Sequence, residues 1–418
     1  MKGQRKEILV YAHWAGLESP VQMGTLYVIP VRGKELFSFE NSKSWIESKL
    51  VHVVDPELNL YQGPQYPQND KTNFGIFLDS APDRWGRFLM RRREAIEARV
   101  EGRSERALYE SDYLLGVYDG HRIGGLRFKT DEKGPFLNDN SRLAAPPWAS
   151  MRELEFASQY IENDNFLDDP EYTKWLNLLL APGSSLGGAR PKASVIDSSG
   201  NLWIAKFPSR SDEKDTGAWE MVVWELGKLA GLDVPDAQLV KLSGNQHTFL
   251  TKRFDRMAEK RVHFASALTM LGYSDGMDHQ DGISYLEMVE FLLRNSADPE
   301  NDLKQLWRRI LFSICVSNTD DHLRNHGFIL SKDGWRLSPA FDINPNPYGG
   351  GLTLNISEND NSLDPDLAIQ VAPYFRIPKE EAAKIFMEFK KTVSTWRKVA
   401  SKYGIPASEK DSMSKAFI

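Results

Sequence analysis

A long polar stretch, residues 318–355, interrupts a C-terminal region that otherwise has the periodicity of helices. Helical patterns cover residues 283–294, 301–317 and 377–402. Between residues 192 and 253, short apolar runs bounded by turn residues predict strands around a single helix. This order favours an α+β fold with two lobes and a cleft between them.

The chain is predicted to divide into three segments. They are a β-rich subdomain over 1–130, which begins with strands, an N-lobe core over 148–255 with a Gly-rich loop and a hinge, and a helical C-lobe over 256–418. The smaller elements are predicted as strands within 6–40, a helix over 83–106, a loop over 130–147, helices at 149–162 and 171–180, strands at Lys192–Ile196 and Leu202–Phe207, a helix from Thr216 to Ala230, and strands at 237–242 and 247–253.

Composition narrows the class of protein. Hydrophobic residues make up 41% of the 418 residues, which is enough for a sizeable core and excludes general disorder. The longest apolar run is too short to cross a membrane, and the N-terminus lacks the pattern of a signal peptide. Cys315 is the one cysteine, so a disulfide framework and a multi-cysteine zinc site are excluded. We therefore expect a cytoplasmic protein without a membrane partner.

The net charge of −6 gives the chain no overall excess of positive charge for binding nucleic acid, but residues 83–106 contain eight arginines. Four glutamates are interleaved with them, so much of the positive charge can pair at i,i+3 and i,i+4. A solvated helix face is therefore favoured over an anion-binding surface, and direct DNA contact stays open.

A glycine-rich loop, GSSLGGARPK, covers residues 183–192. Its start matches the G-x-S-x-G elbow of serine hydrolases, but a helical pattern precedes it and a strand follows, which is the wrong context. The loop does not match a Walker A motif either. It offers two hydroxyls and a backbone that could approach phosphates, with Arg190 and Lys192 as cations. An ordinary turn with exposed charges is the alternative.

Lys206 ends the apolar run LWIAK, so it places a positive charge beside a core face. A lysine on an edge strand that points to solvent is one interpretation. The other is a phosphate-pairing lysine one strand after a Gly loop, which needs a carboxylate from the next helix. Glu220 is the predicted partner and Glu225 the reserve.

The polar stretch contains the most specific motif, SNTDDHLRNH over residues 317–326, followed by Asp342. Asp320 and Asn325 have the D-x-x-x-x-N spacing of a protein-kinase catalytic loop, and Asp342 follows Asp320 by 22 residues. One carboxylate would orient the substrate hydroxyl, while an amide oxygen and a second carboxylate would hold Mg²⁺. A predicted hairpin between residues 327 and 337 would bring Asp342 back beside Asn325.

Two other interpretations of this motif stay open. Asp320, Asp321, His322 and His326 could bind a transition metal, as in a metal-dependent phosphohydrolase, although the preceding helix offers no further ligands. The stretch could also be a hydrogen-bonded surface turn. The order of Gly loop, strand lysine, helix glutamate, hinge strand and two Asp motifs favours a phosphotransferase.

The sequence resembles the HipA-type serine/threonine kinase toxins of bacterial type II toxin–antitoxin systems over most of its length. The segment around Gly16 and Gly24 resembles the N-terminal subdomain of that family, and residues 185–192 resemble its Gly-rich loop. FLTKRFDR, residues 249–256, resembles the hinge strand that passes the adenine. Residues 318–328 and 339–342 resemble the catalytic and metal loops.

The resemblance implies a kinase-like fold with an all-helical C-terminal lobe, and ATP and Mg²⁺ as cofactors. Asp320 would be the catalytic base and Lys206, held by Glu220, would pair the phosphates. Asn325 and Asp342 would bind the metal. Ser185 would be autophosphorylated, with Ser184 as the reserve, which would inactivate the enzyme. The remaining nucleotide-binding candidates are Ser185, Gly187, Gly188, Lys192, Lys252, Arg253, Phe254 and His322.

The resemblance also implies partners. Members of the family phosphorylate protein targets, in some cases an aminoacyl-tRNA synthetase, and pair with a small helix-turn-helix antitoxin that binds operator DNA. We expect this chain to contact DNA mainly through such an antitoxin. A catalytically inactive, kinase-shaped partner of an antitoxin–DNA complex is the alternative, together with the phosphohydrolase.

Overall fold

The computed structural model describes residues 5–48, 52–68, 71–163, 170–180, 188–258 and 260–418. They form two compact units. The first comprises the described residues of Met1–Arg210 with Asp255–Ala265 and Gly272–Ser274, and the second comprises those of Ser211–Phe254, Ser266–Leu271 and Asp275–Ile418. The domain boundaries expected at 130–148 and 255–256 stay predictions.

An antiparallel sheet forms the start of the first unit. Its strands are β1 (Lys6–Ala12), β2 (Val21–Val31), β3 (Lys34–Asn41) and β4 (Leu126–Lys129), in the order β3-β2-β1-β4. Alternate residues of β1 and β2 are buried, which gives the sheet one core face. Arg32 and Gly33, both with positive φ, make the two-residue turn between β2 and β3. The predicted strands within residues 6–40 are confirmed.

The described residues of the first unit contain six α-helices: α1 (Lys43–Glu47), α2 (Gly75–Asp79), α3 (Arg84–Val100), α4 (Glu110–Gly116), α5 (Met151–Ile161) and α6 (Pro170–Leu180). Helix α3 starts after Asp83, whose carboxylate accepts a 2.9 Å hydrogen bond from Gly86 N. The predicted ion pairs are present, as in the 3.0 Å contact of Arg93 with Glu97. The helix ends at Val100, earlier than the predicted residue 106, and Arg103 beyond its end turns back to bind Glu94.

A hairpin of β5 (Lys192–Ile196) and β6 (Leu202–Lys206) completes this part of the first unit. Asp197 closes the turn, since its Oδ1 accepts hydrogen bonds from the backbone N of Ser199 and Asn201 at 2.9 Å. Both strands and their turn were predicted from the sequence, and the structure confirms them.

The second unit begins with helix α7 (Thr216–Leu229), followed by the antiparallel strands β7 (Ala237–Val240) and β8 (Thr248–Lys252). Asp215 caps α7 through Ala218 N, and Gly231, with φ +77°, ends it as predicted. The remaining strands and α-helices in the part of the chain that the structure describes are β9 (Arg256–Met257), β10 (Lys260–Arg261), β11 (His263–Ser266), α8 (Ala267–Met270), α9 (Tyr285–Asn295), α10 (Pro299–Cys315), β12 (Gly327–Ser331), β13 (Gly334–Leu337), α11 (Pro365–Val371), α12 (Lys379–Val393), α13 (Trp396–Lys402) and α14 (Ala407–Ser412).

Helix α10 runs through the core of the second unit, and Trp307, Ile310 and Ile314 are fully buried along it. It ends at Cys315, which is also buried, and burial raises the pKa of that thiol to about 12. Strands β12 and β13 follow α10, so the C-terminal region contains a hairpin among its helices. Among the described residues, no helix is long and apolar enough to cross a membrane.

Candidate active site

The polar loop after α10 is fixed by hydrogen bonds at its start. Asn318 N donates to Ser313 O at 2.8 Å, and Asn318 Oδ1 accepts from Asn344 N at 3.0 Å. Ser317 adopts a positive φ of 50°, which is unfavourable for a residue other than glycine. The backbone therefore leaves α10 sharply, so that Thr319 and His322 are half-buried and Asp320 is exposed.

Asp320 and Asn325 are joined within this loop. The side chain of Asp320 is exposed, whereas Asn325 is buried at the end of a 3₁₀ turn, Leu323–Asn325. Asn325 Nδ2 donates a 2.8 Å hydrogen bond to Asp320 O, which fixes the orientation of the amide. Asn325 Oδ1 is buried and accepts no hydrogen bond from any residue that the structure describes. A buried amide oxygen without a donor fits a ligand position for a hard cation.

Asp342 follows the β12–β13 hairpin, as predicted. Its φ is +57°, which is strained for an aspartate, and it lies two residues before the Asn344–Asn318 hydrogen bond. Asn344 Nδ2 also donates to Asp342 Oδ1 at 3.3 Å. The hairpin therefore returns the Asp342 segment to the start of the catalytic-type loop. Amide and carboxylate oxygens, the groups that Asn325 and Asp342 carry, are the kinds of ligand that Mg²⁺ prefers.

Asp321, the neighbour of Asp320, is buried in a hydrogen-bonded network. Its carboxylate accepts a 2.6 Å hydrogen bond from Tyr285 and lies 2.8 Å from His326 Nε2 and 3.3 Å from Ser313 Oγ. Burial by itself would raise the pKa of Asp321, but the His326 interactions, the Tyr285 hydrogen bond and the Arg309 charge together lower it. Asp321 is thus held as a buried carboxylate that anchors the loop.

This network bears on the transition-metal interpretation. Asp321 and His326 bind each other inside the unit, and His322 is only half-buried at the start of the 3₁₀ turn. In the described part of the chain, no group of three or more His, Cys, Asp or Glu side chains is placed to hold a metal ion.

The two glutamates predicted to hold the lysine lie on different faces of α7. Glu220 is buried, with 6% of its surface exposed. Glu225 instead binds Lys402 at 2.8 Å and also contacts the hydroxyl of Tyr403. Five residues along a helix correspond to a rotation of about 140°, so the two side chains cannot serve the same face. Glu220 is therefore the remaining candidate.

The predicted hinge residues follow directly from β8. Lys252 N donates to Asp236 O at 2.8 Å, Arg253 is buried, and Phe254 is half-buried. The ring of Phe254 lies 5.7 Å from the ring of Phe341, centroid to centroid. This contact places the end of the hinge segment beside the residue that precedes Asp342.

The lysine candidates belong to the first unit. Lys206 is buried at the end of β6, so it is not the solvent-facing lysine of the alternative interpretation. Lys192 is also buried, and its Nζ lies 3.0 Å from Asp83 Oδ2 and 3.1 Å from Gly188 O. Ser184, Ser185 and Gly187 lie outside the described residues.

Sequence reasoning missed several residues of the site. Asp83 binds Lys192 across 109 positions of the chain, and no local pattern connects the two. Asn318 and Asn344 link the two loops, and Tyr285 supports Asp321 from α9. For Asn318 and Asn344, the one signal in the sequence was that each lies two residues from a motif aspartate, Asp320 or Asp342.

Comparisons with known proteins show the family and the fold that this chain is similar to. Residues 184–396, about half of the chain, match the family model described as HipA-like C-terminal domain. A Haemophilus influenzae protein with a provisional kinase name is 28% identical over 187 residues, which are 40% of this chain and 54% of that protein. The serine/threonine-protein kinase toxin HipA of Shewanella oneidensis is 26% identical over 145 residues, 30% of this chain and 33% of that protein. The matches thus span about half or less of these relatives.

One solved structure extends the likeness to nearly the whole chain. The Shewanella oneidensis MR-1 toxin–antitoxin complex of HipA, HipB and operator DNA matches 98% of this chain and 94% of that chain. The TM-score is 0.65 at 16% sequence identity, so the likeness concerns the fold. Fold and loop geometry define a kinase-like α+β protein. The chain belongs to the HipA family, whose C-terminal domain it contains.

Proposed function

We propose that this chain is an ATP- and Mg²⁺-dependent serine/threonine protein kinase. The observation that carries the proposal is the buried Asn325 amide, whose Nδ2 is held by Asp320 O while its Oδ1 is left without a donor among the described residues. Leaving a buried oxygen without a hydrogen bond costs about 1–3 kcal/mol, and in a surface turn nothing would offset that cost. If the oxygen binds a metal ion, the ion satisfies it.

Each loop residue then has a role. Asp320, exposed beside this amide, accepts the proton of the substrate hydroxyl. Asn325 and Asp342 hold Mg²⁺, which would neutralise charge on the phosphates. Asp321 holds the loop in position through Tyr285 and His326.

The remaining candidates would bind the nucleotide. We assign the phosphates to Lys206, with Glu220 as its carboxylate, and to Gly188, Lys192 and His322. Lys252, Arg253 and Phe254 would contact the adenine, mainly through the backbone. Ser185, or Ser184 in reserve, would be the autophosphorylation site. Since Lys192 is paired with Asp83 and contacts Gly188 O, it would in addition hold the end of the Gly loop in place.

Membership of the family supports a proposal for the biological role. We propose that the chain acts as the toxin of a toxin–antitoxin pair in the cytoplasm, phosphorylates a protein target and pairs with a small helix-turn-helix antitoxin. The support is the similarity in fold to the HipA chain solved with HipB and operator DNA. DNA contact would then be mainly indirect.

Intact-mass spectrometry tests the proposal. The protein is first dephosphorylated and then incubated with Mg²⁺ and ATP, alongside Asp320→Asn and the control Asp333→Asn. Asp333 is an exposed carboxylate in the β12–β13 turn of the same unit. Wild type and Asp333→Asn should gain one phosphate on the Gly loop, and Asp320→Asn should not. A gain at the wild-type rate in Asp320→Asn would reject the role of Asp320. No gain and no nucleotide binding in any of them would favour the inactive scaffold.

A further inference from the structure

A short segment that starts four residues after Asp342, residues 346–353, is tied to the residue next to Asp320. Asn346 N donates to Ser317 O at 3.0 Å, and Asn346 Nδ2 donates to Thr319 Oγ1 at 2.8 Å. At the other end, Thr353 Oγ1 donates to Thr319 O at 2.8 Å. Both ends of the segment are therefore anchored on the residue that precedes Asp320.

In the middle of this segment, Tyr348 and Gly350 are exposed and Gly349 is half-buried. A Cβ at Gly349 would lie 2.3 Å from Thr319 Cγ2, so only glycine lets the backbone approach this closely. A Cβ at Gly350 would meet nothing within 4 Å. Tyr348 precedes them and is 83% exposed, although its backbone N is held by Asn346 Oδ1 at 3.1 Å. An exposed aromatic ring thus lies two residues from the exposed Gly350, in a segment anchored on the neighbour of Asp320.

The surface next to this segment is acidic. Thr353 O accepts from His279 N at 2.8 Å, and Leu352 N donates to Asn361 O at 2.8 Å, so the neighbours on both sides are fixed. The acidic flank consists of carboxylates in these two neighbouring stretches: Asp278, Asp281, Glu358 and Asp360. Glu358, Asp360 and Asp281 are exposed. The flank therefore favours a partner with positive charge.

We propose that Tyr348–Gly350 is a docking edge for the acceptor polypeptide, and that it selects an extended segment with Lys or Arg next to the phosphorylated Ser or Thr. The exposed backbone at Gly350 can pair with an extended chain, and Tyr348 packs on a neighbouring side chain. The acidic flank binds the basic residues. The inference rests on the proposed kinase function, since it places the acceptor hydroxyl at Asp320.

In the proposed reaction, the γ-phosphoryl group of ATP passes to the acceptor hydroxyl. The acceptor oxygen forms the bond to the γ-phosphorus of ATP while the bond from that phosphorus to the bridging β,γ-oxygen breaks. ADP leaves with that electron pair, and the hydroxyl proton passes to Asp320. Tyr348 and Gly350 take no part in the bond changes and act only on the affinity and orientation of the polypeptide.

The experiment compares two reactions in the same preparations: ATP hydrolysis with water as the acceptor, and phosphorylation of two synthetic peptides. Each peptide has one central serine, flanked by lysines in the first and by glutamates in the second. The variants are Tyr348→Ala and Gly350→Val, with Tyr374→Ala as the control because Tyr374 is a 59% exposed tyrosine elsewhere in the same unit. Thermal unfolding establishes that each variant is folded.

We expect wild type and Tyr374→Ala to prefer the lysine peptide by about tenfold in kcat/KM. Tyr348→Ala and Gly350→Val should raise KM for that peptide about tenfold, so the ratio of peptide phosphorylation to ATP hydrolysis falls. Equal use of both peptides, no peptide phosphorylation despite active hydrolysis, or variants that match Tyr374→Ala would overturn the docking edge. Absence of any Asp320-dependent hydrolysis or autophosphorylation would instead reject the kinase function, and the inference with it.

Discussion

Lys192 and Lys206 lie directly opposite each other, at the open end of the β5–β6 hairpin. Both are buried, with 4% and 9% of their surfaces exposed, although lysines are rarely buried without a partner. Lys192 binds Asp83, whose side chain is only 10% exposed. One buried ion pair therefore supports the strand end from which both ammonium groups project.

We predict that Asp83→Ala destabilises the first unit by about 3–5 kcal/mol, because it leaves the Lys192 ammonium buried without its carboxylate. The loss of the α3 cap at Gly86 N adds about 1 kcal/mol. Urea unfolding followed by circular dichroism measures the change. Glu47→Ala is the control, since Glu47 forms an exposed pair with Lys43 in the same unit. Similar small losses in both variants would show that the buried pair is unimportant.

Asn325→Ala should raise the Mg²⁺ concentration needed for half-maximal ATP hydrolysis by at least about tenfold, because an oxygen ligand is removed. The variant also loses a hydrogen bond from its amide to a backbone carbonyl. Asn295→Ala loses the same kind of bond, from Nδ2 to Phe291 O at 3.0 Å, at the end of α9. An unchanged Mg²⁺ dependence in Asn325→Ala would remove this residue from the metal site.

Tyr285→Phe removes one hydrogen bond from the buried Asp321 carboxylate and should cost about 1.5–3 kcal/mol at pH 7. The pKa of Asp321 is lowered in the folded protein, so its stabilising effect is present above the ordinary value of 3.8 and lost as the pH falls through the folded pKa. The difference between variant and wild type should therefore shrink in acid. Thermal unfolding between pH 3 and pH 7 checks this, with the exposed Tyr374→Phe as the control. A difference that grows in acid would contradict the assignment.

Asp55 should give the opposite pH dependence. Burial raises its pKa to about 6, although Glu57 N and Ile76 N donate hydrogen bonds to it. A raised pKa means that the folded state holds the proton more tightly, so the stability of the first unit should fall as the pH rises from about 4 to 6, by about 3 kcal/mol.

Asp55→Asn should remove this slope, which thermal unfolding at pH 4.5 and pH 7 can measure. Asp131→Asn is the control, since Asp131 also accepts a backbone hydrogen bond two residues on, from Lys133 N, but is exposed. A slope that persists unchanged in Asp55→Asn would assign the effect to another group.

Much of the fold could be predicted because its elements are marked locally. Asp197 and Gly200 identify the β5–β6 turn, and Gly231 ends α7, so these boundaries agree with the structure. Helix α3 was predicted too long because the charge pattern continues through Arg103, where the chain has already turned back to Glu94. Charge periodicity does not distinguish pairing along a helix from pairing across a turn.

Spacing along the chain predicted that Asp320 and Asn325 share one loop and that a hairpin precedes Asp342, and the structure contains both features, while the roles of these residues stay predictions. The site was not predictable where the partner is distant in sequence. Asp83 for Lys192 and Tyr285 for Asp321 are set by packing between elements, and no local pattern encodes such contacts. The exclusion of Glu225 likewise needed the positions of Lys402 and Tyr403.

The inertness of Cys315 makes the chain convenient for spectroscopy. Its thiol is buried and remains protonated at neutral pH, so thiol-reactive probes will modify it slowly. Lys34→Cys and Lys332→Cys would introduce exposed thiols at two hairpin tips, one in each unit, on the native background. Spin labels on these two positions would report the distance between the units, and how nucleotide changes it, without first replacing a core residue.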